Sequence, residues 1–365
     1  MKLSKSIIEE IRELIRSARA NVARGVDLIQ VNTCFEVGRR IIEEEQKGEG
    51  RAHYGKAVIK ALAGRLIAEF GSGFSERNLA YMRAFFQIYR DRNPILQTAS
   101  AKSDSGEKMQ TLSALSESLV QAITPLGKPP FTLSWSHYVF LIGIQNPDER
   151  SFYEIEATQQ NWTVRELQRQ FDSSLYERLA LSRDKNGIRR LARNGHIINQ
   201  SKDLLKEPLV LEFLGLSEQA RYSETDLEAA IIDHIERFLL ELGKGFLFEA
   251  RQKRFTFDAD HFFVDLVFYN RLLRCYVLID LKIGKLTHQN LGQMQMYVNY
   301  FDRYIKTETE NASVGIVLCK NRNGALVEIT LPKDANIHAR EYQLYLPSKE
   351  ALRRKLIEWV GEAAE

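Results

Sequence analysis

The first 90 residues place apolar side chains three and four apart, in IIEEIRELI, in VNTCFEVGRRII and in AVIKALAGRLIAEF, which predicts a run of amphipathic helices. The turn GSGF at 71–74 stops the third of these, and Ser75 is placed to cap a further helix, SERNLAYMRAFFQIY. Residues 93–111 (NPILQTASAKSDSGEKMQT) lack aromatics and periodicity and are expected to be a linker or long loop, after which LSALSESLVQAI resumes a helix. In NWTVRELQRQF, Thr163 and Glu166 make a T-x-x-E capping box, so a helix is expected from Val164 to about Leu181.

From residue 224 the pattern changes. ETDLEAAIIDHIERFLLELG reads as one long helix, GFLFEARQKRF, HFFVDLVFY and RCYVLIDLKIG as strands, NLGQMQMYVNYFDRY as a helix and ASVGIVLCK as a strand. That order describes a mixed α/β layer structure. The expected organisation is a helical N-terminal domain over 1–182, a basic connector over 183–222, an α/β domain over 223–350 and a C-terminal helix over 351–365. The connector holds Arg189, Arg190, Arg193, Lys202 and Lys206, and reads either as a solvated link or as an arm contacting phosphates.

A chain of 365 residues suits two domains. Its 51 basic and 48 acidic residues leave a net charge of +3, so a nucleic-acid partner would have to be held by a local patch rather than by overall charge. Cys34, Cys275 and Cys319 lie far apart without CxxC spacing, which argues against a disulfide framework and a cysteine zinc site. No apolar run of about 18 residues occurs, and the charged N-terminal stretch does not resemble a signal peptide, so a cytoplasmic protein without a membrane span is expected. The helix, glycine turn and helix over 56–90 are either a hairpin with solvated arginines or a helix-turn-helix that presents Arg77 and Arg83 to DNA.

The strand-like segment FFVDLVFYNRLLRCYVLIDLKIGKL is interrupted by Asp265, Asp280 and Lys282. Alternation puts Leu278, Asp280 and Lys282 on one face, and an even turn over 270–273 puts Asp265 on that face too. Both faces also carry apolar residues: Leu266, Phe268, Ile279 and Ile283 on one, Phe263, Val267, Tyr269, Tyr276 and Leu278 on the other. Two carboxylates on a covered sheet repel unless a cation lies between them, and oxygen-only ligation suits Mg²⁺ or Mn²⁺. The competing reading is a surface salt bridge worth roughly 0–1 kcal/mol. Glu228 opens the apolar stripe of the preceding helix and is either a third ligand or the partner of Thr225 in a capping box. Gln293 and Tyr297 stand one turn apart on the following helix, and Gly284, Lys285 and His288 flank the entrance as contacts for a nucleic-acid backbone.

Taken together, D265, D280-L-K282 and Q293-M-Q-M-Y297 resemble the PD-(D/E)XK nuclease signature in its variant with a QxxxY helix. IDLKIG with GQMQMY is similar to the YhcG-like family of bacterial PD-(D/E)XK nucleases, and YGKAVIKALAGRLIAEFGSGFSERNLAYMRAFFQIY, LSWSHY, NWTVRELQ and LYERL resemble the helical domain that accompanies it. The resemblance implies a restriction-endonuclease-like core and a metal-dependent nuclease acting on DNA. In it Asp265 and Asp280 are metal ligands, Glu228 matches a helix glutamate, Lys282 is the catalytic lysine, and Gln293 and Tyr297 support the site. Val264 stands where the motif's name has proline. The expectation is an endonuclease whose N-terminal domain engages DNA or a protein partner, and a homodimer would ease cutting of both strands. The alternatives are a nucleic-acid-binding or scaffold subunit that keeps the fold without turnover, and an RNA nuclease.

Overall fold

A computed structural model describes residues 5–47, 52–92, 131–181, 185–204, 206, 208–216, 222–257, 259–332 and 335–362. The expected linker at 93–111 and the helix after it lie outside these residues. Contacts divide the chain into two compact units, one of residues 1–150 and 157–167, the other of 151–156 and 168–365.

In the first unit, α1 (Lys5–Lys47), α2 (Ala52–Phe70) and α3 (Glu76–Tyr89) bear out the helical periodicity. Ser75 caps α3 by accepting from the Asn78 amide, as its position implies. Phe35 of α1 packs edge-on against Phe85 and Phe86 of α3. The helices meet at Gly38, where a Cβ would lie 2.1 Å from the Met82 carbonyl oxygen. α4 (Trp135–Leu141) joins this core through the Trp135 indole N–H, which donates to Asn78 Oδ1 at 2.9 Å. α5 (Pro147–Gln160) is followed by α6 (Val164–Asp172), which opens on the expected box: the Thr163 amide donates to Glu166 Oε2 at 2.6 Å and the Glu166 amide to Thr163 Oγ1 at 3.3 Å. The helix expected to reach Leu181 breaks at Ser174, whose φ of 55° is left-handed, and restarts as α7 (Leu175–Ala180), which like all residues from Gln168 onward belongs to the second unit.

The second unit is built on a mixed sheet of six strands in the order β1-β6-β5-β4-β3-β2. They are β1 (Leu209–Val210), β2 (Phe246–Phe257), β3 (Asp260–Asn270), β4 (Cys275–Lys285), β5 (Val314–Asn321) and β6 (Ile337–Gln343). β2, β3 and β4 run antiparallel, while β4, β5, β6 and β1 run parallel. The long helix expected before β2 is two, α9 (Glu224–Asp233) and α10 (Ile235–Leu242), broken at His234. Leu227, Ile231 and Phe238 of this pair cover one sheet face with Leu266, Phe268, Ile279 and Leu281. On the other face, Met294, Tyr297 and Val298 of α11 (His288–Tyr300) cover Val267, Leu278 and Val317. Gly315 admits that helix, since a Cβ there would meet Met294 at 2.6 Å. α12 (Gly324–Thr330) and α13 (Lys349–Glu362) complete the unit.

The segment 183–222, expected as a connector, contributes α8 (Lys185–Asn194) and then β1, the strand that closes the sheet beside β6. Lys206, read as one of the basic residues of a phosphate arm, is buried instead, its ammonium donating to the Glu241 carbonyl.

Candidate active site

Asn270 pairs with Cys275 across a four-residue turn, so the even-length connection sets the register the sequence implied. One step beyond the last pair, Leu266 with Ile279, the same register puts Asp265 opposite Asp280, but the ladder ends before it. The Asp265 carboxylate takes over the backbone's role there, accepting from the Leu281 amide at 2.8 Å. The strands part at the two acids.

Asp280 is 2 % exposed, and burial together with the charge of Asp265 raises its pKa to about 7, with Lys282 pulling the other way. Lys282 Nζ lies 3.0 Å from Asp280 Oδ2, but that oxygen makes no aligned hydrogen bond. Burial works against charge on Lys282, yet Asp280 and Glu224 outweigh it and hold the ammonium pKa above its ordinary value. Lys282 Nζ also reaches Glu224 Oε2 at 3.3 Å.

The helix cap at α9 is formed by Ser223 and Asp226, not by Thr225 and Glu228. Glu228 is thereby free of the capping role, and it is buried in the second turn. Its carboxylate takes the Gln252 amide on Oε2 and the Arg251 guanidinium at 3.1 Å on Oε1. The Gln252 amide also donates to Asp265 Oδ1 at 3.1 Å, so one side chain ties the two acids together. Neither Gln252 nor Glu224 was singled out from sequence. The four-residue spacing of Glu224 and Glu228 on one helix face was a usable signal, whereas Gln252 depends on a bulge. Phe248 pairs with Phe268 but Ala250 with Val267, so Glu249 is an extra residue, and the shifted register sets Gln252 opposite Asp265. Gln252 has a left-handed φ of 44°.

At this pair the alternation of both strands reverses. Leu266 and Phe268 belong to the core under α9 and α10, but Val264, also even-numbered, belongs to the core under α11. Phe263, expected on the covered acid-bearing face, is consequently 46 % exposed.

On α11 the Gln293 amide donates to the Tyr297 hydroxyl. Burial raises the Tyr297 pKa, and the charges of Asp280 and Asp265 add to it. Tyr297 shares a buried cluster with Val267 and Leu278, each two residues along its strand from one of the two acids. Gln293 is exposed and retains a second amide hydrogen for a phosphate or a water. Lys285 is exposed at the end of β4, and His288 at the start of α11. In the first unit, Arg77 is exposed and bonds the Tyr81 hydroxyl at 2.9 Å, while Arg83 is ion-paired with Glu45 at 2.8 Å.

The donor set fits a hard divalent cation. Asp280 carries a buried oxygen without an aligned donor, beside a second carboxylate that raises its proton affinity. Among the described residues no group of three or more His, Cys, Asp or Glu is arranged to hold a metal ion, and Glu228 reaches Asp265 only through Gln252. Mg²⁺ commonly takes one or two carboxylates and completes its shell with water and phosphate oxygens. Asp265 and Asp280 suit that pattern.

Known proteins resemble this chain over most of its length. The family model of the YhcG PDDEXK nuclease domain matches residues 202–357, and that of the DUF1016 N-terminal domain matches residues 10–178. The chain is 38 % identical over 368 residues to the protein named "Putative nuclease YhcG" of Escherichia coli (strain K12), covering 97 % of this chain and 93 % of that one. A repair endonuclease structure from Pyrococcus abyssi overlaps 36 % of this chain and 50 % of its own, at 17 % identity and a TM-score of 0.24. With a PD-(D/E)XK nuclease domain at its C-terminus and its helical companion domain in front, the chain belongs to the YhcG family.

Proposed function

We propose that this protein is a metal-dependent nuclease that hydrolyses DNA phosphodiester bonds internally. The observation that carries this reading is the parting of β3 and β4 at Asp265 and Asp280, with Lys282 ion-paired to the second acid inside a nuclease domain. When bound, Mg²⁺ or Mn²⁺ supplies Lewis acidity to the phosphate and makes water a better nucleophile near neutral pH.

The chain's own residues do the rest. The Leu281 amide fixes the Asp265 carboxylate, and the Gln252 amide restrains its other oxygen, so the ligand is oriented before substrate arrives. Lys282 stays protonated between Asp280 and Glu224, which suits it to bind a phosphate oxygen and to orient the attacking water. Gln293, steadied by Tyr297, offers its remaining N–H to the same phosphate. Lys285 contacts the backbone of the substrate beyond the scissile bond. In the first unit, α2, the turn and α3 present Arg77 to DNA, with Arg83 able to contribute on leaving Glu45.

The test is cleavage of end-labelled single-stranded, duplex and branched DNA and of RNA, with Mg²⁺, Mn²⁺ or EDTA. Internal cutting of DNA that needs the ion and is lost in Asp280→Ala and Lys282→Ala is the expected result. Binding without cutting on every substrate, or cutting that survives in Asp280→Ala, overturns the proposal.

A further inference from the structure

The β2–β3 hairpin continues past the place where β3 leaves β4. Lys253 to Phe257 pair with Asp260 to Val264 as a two-stranded ribbon that extends from the candidate active site. One face of this ribbon is anchored. Phe255 stacks on Tyr300 with ring centroids 4.1 Å apart, lies at 5.4 Å from Phe262, and is buried with Val264 against α11.

The other face is open, and it begins at the site itself. Gln252, Arg254 and Thr256 lie along it on β2, with Asp265, Phe263 and His261 opposite them on β3, and all but Asp265 are exposed. Each cross-strand pair stands about 6.8 Å beyond the last, the length of two residues of strand. Arg254 and Phe263 are therefore one step from Asp265, and Thr256 and His261 two.

The chemistry of this face is that of a single-strand track. Of the three basic residues in the acid-free stretch ARQKRFTF, Ala250 to Phe257, Arg254 is the one on this face. Arg251 is paired with Glu228 and Lys253 with Glu249. Arg254 bonds the His261 imidazole at 2.8 Å and no carboxylate among the described residues. Since a guanidinium only donates, His261 Nε2 accepts, and Nδ1 carries the proton toward Thr256 Oγ1 at 2.9 Å. The imidazole thus holds Arg254 upright on the open face without cancelling its charge. Next to it the phenyl ring of Phe263 stands in water with no hydrogen-bonding edge, a surface that gains from the face of an unpaired base and gains little from a duplex whose base faces are already stacked.

We propose that this face of the ribbon binds an unpaired DNA strand leading into the active site, with a phosphate on Arg254 and a base stacked on Phe263. The inference rests on the reading of the substrate as DNA.

The test measures binding of a fluorescein-labelled oligodeoxythymidylate of about 20 nucleotides and of a blunt duplex of equal length by anisotropy, in EDTA so that no cutting occurs. The full-length chain should bind the oligonucleotide more tightly than the duplex. Phe263→Ala should weaken oligonucleotide binding about 5- to 100-fold with its salt dependence unchanged, and Phe263→Trp should restore it. Arg254→Ala should weaken it and lower the slope of log K against log salt by about 0.7, the loss of one phosphate contact. Either alanine variant binding the oligonucleotide like wild type, or Phe263→Ala weakening oligonucleotide and duplex equally, overturns the proposal. A wild type that cuts nothing but loses oligonucleotide binding on Phe263→Ala leaves this inference standing while the nuclease reading falls. A wild type that cuts duplex and binds no oligonucleotide does the reverse.

Discussion

Gln252 is a residue whose backbone and side chain make opposite demands. A non-glycine residue with φ near 44° costs on the order of 1–3 kcal/mol, and such strain persists where surrounding structure holds it. What holds it here is the amide bridge between Glu228 and Asp265. Replacing Gln252 by glycine should relieve the backbone but remove the bridge. Gln252→Gly is therefore expected to melt at or above the wild-type temperature while Mn²⁺ affinity or cleavage falls roughly 10- to 100-fold, the usual effect of losing a group that orients a metal ligand. A variant that loses activity only in proportion to lost stability would show that Gln252 serves the fold alone. Asp280 and Lys282 were legible because β4 keeps its alternation, and Asp265 because the even turn between the strands sets the register. Gln252 was not, because its place opposite Asp265 is created by one extra residue, Glu249, which no pattern in FLFEARQKRF announces. Phe263 was assigned to the covered face for the same reason: alternation was carried through a point where it reverses.

Among the elements, helices and long strands followed their periodicity, and the misses have local causes. His234 interrupts the helix before β2 with φ −119° and ψ 32°, and Ser174 interrupts the helix after Thr163 with a left-handed φ, although apolar spacing runs through both breaks. β1 has two residues and gains its identity only from β6, more than 120 residues away, so nothing near it in sequence marks it. The packing of α1 on α3 shows what a single position sets. Alanine in place of Gly38 gains about 1 kcal/mol of helix propensity, but its Cβ falls 2.1 Å from the Met82 carbonyl oxygen, which is backbone and cannot rotate away. Overpacking of this kind costs about 1–3 kcal/mol, so Gly38→Ala should be net destabilising and lower the melting temperature, whereas Gly25→Ala, on the same helix with nothing within 4 Å, should not. Equal melting temperatures for the two variants would mean that the helices separate there at no cost.

At the scale of the molecule, the polar residues joining segments far apart in sequence were invisible to any local pattern. Glu241 of α10 is fully buried and receives Arg178 Nη1 at 2.5 Å, Arg169 Nη1 at 3.2 Å and the Val210 amide at 3.0 Å, while Lys206 caps its carbonyl. These contacts gather α6, α7, β1 and α10 of the second unit around one carboxylate, and they account for the supposed connector's place in the sheet. Burial alone would raise the Glu241 pKa, but Arg178, Lys206 and Arg169 outweigh it and hold the carboxyl at about 2, below the ordinary 4.5. A depressed folded-state pKa adds stability that is complete above the unfolded value and is lost as pH falls toward the folded one. The contribution is on the order of 3 kcal/mol and should fade between about pH 5 and pH 2. Glu241→Gln keeps the volume but leaves the fully buried Arg178 guanidinium without a carboxylate, while Arg169 keeps Glu212, so at pH 7 it should cost about 3–5 kcal/mol. Urea unfolding of both proteins at pH 7, 5 and 3 separates this from a packing defect. An electrostatic origin requires the gap between wild type and variant to narrow as the wild-type carboxyl takes up its proton, and a gap of constant size would place the role of Glu241 in its shape and hydrogen bonds rather than its charge.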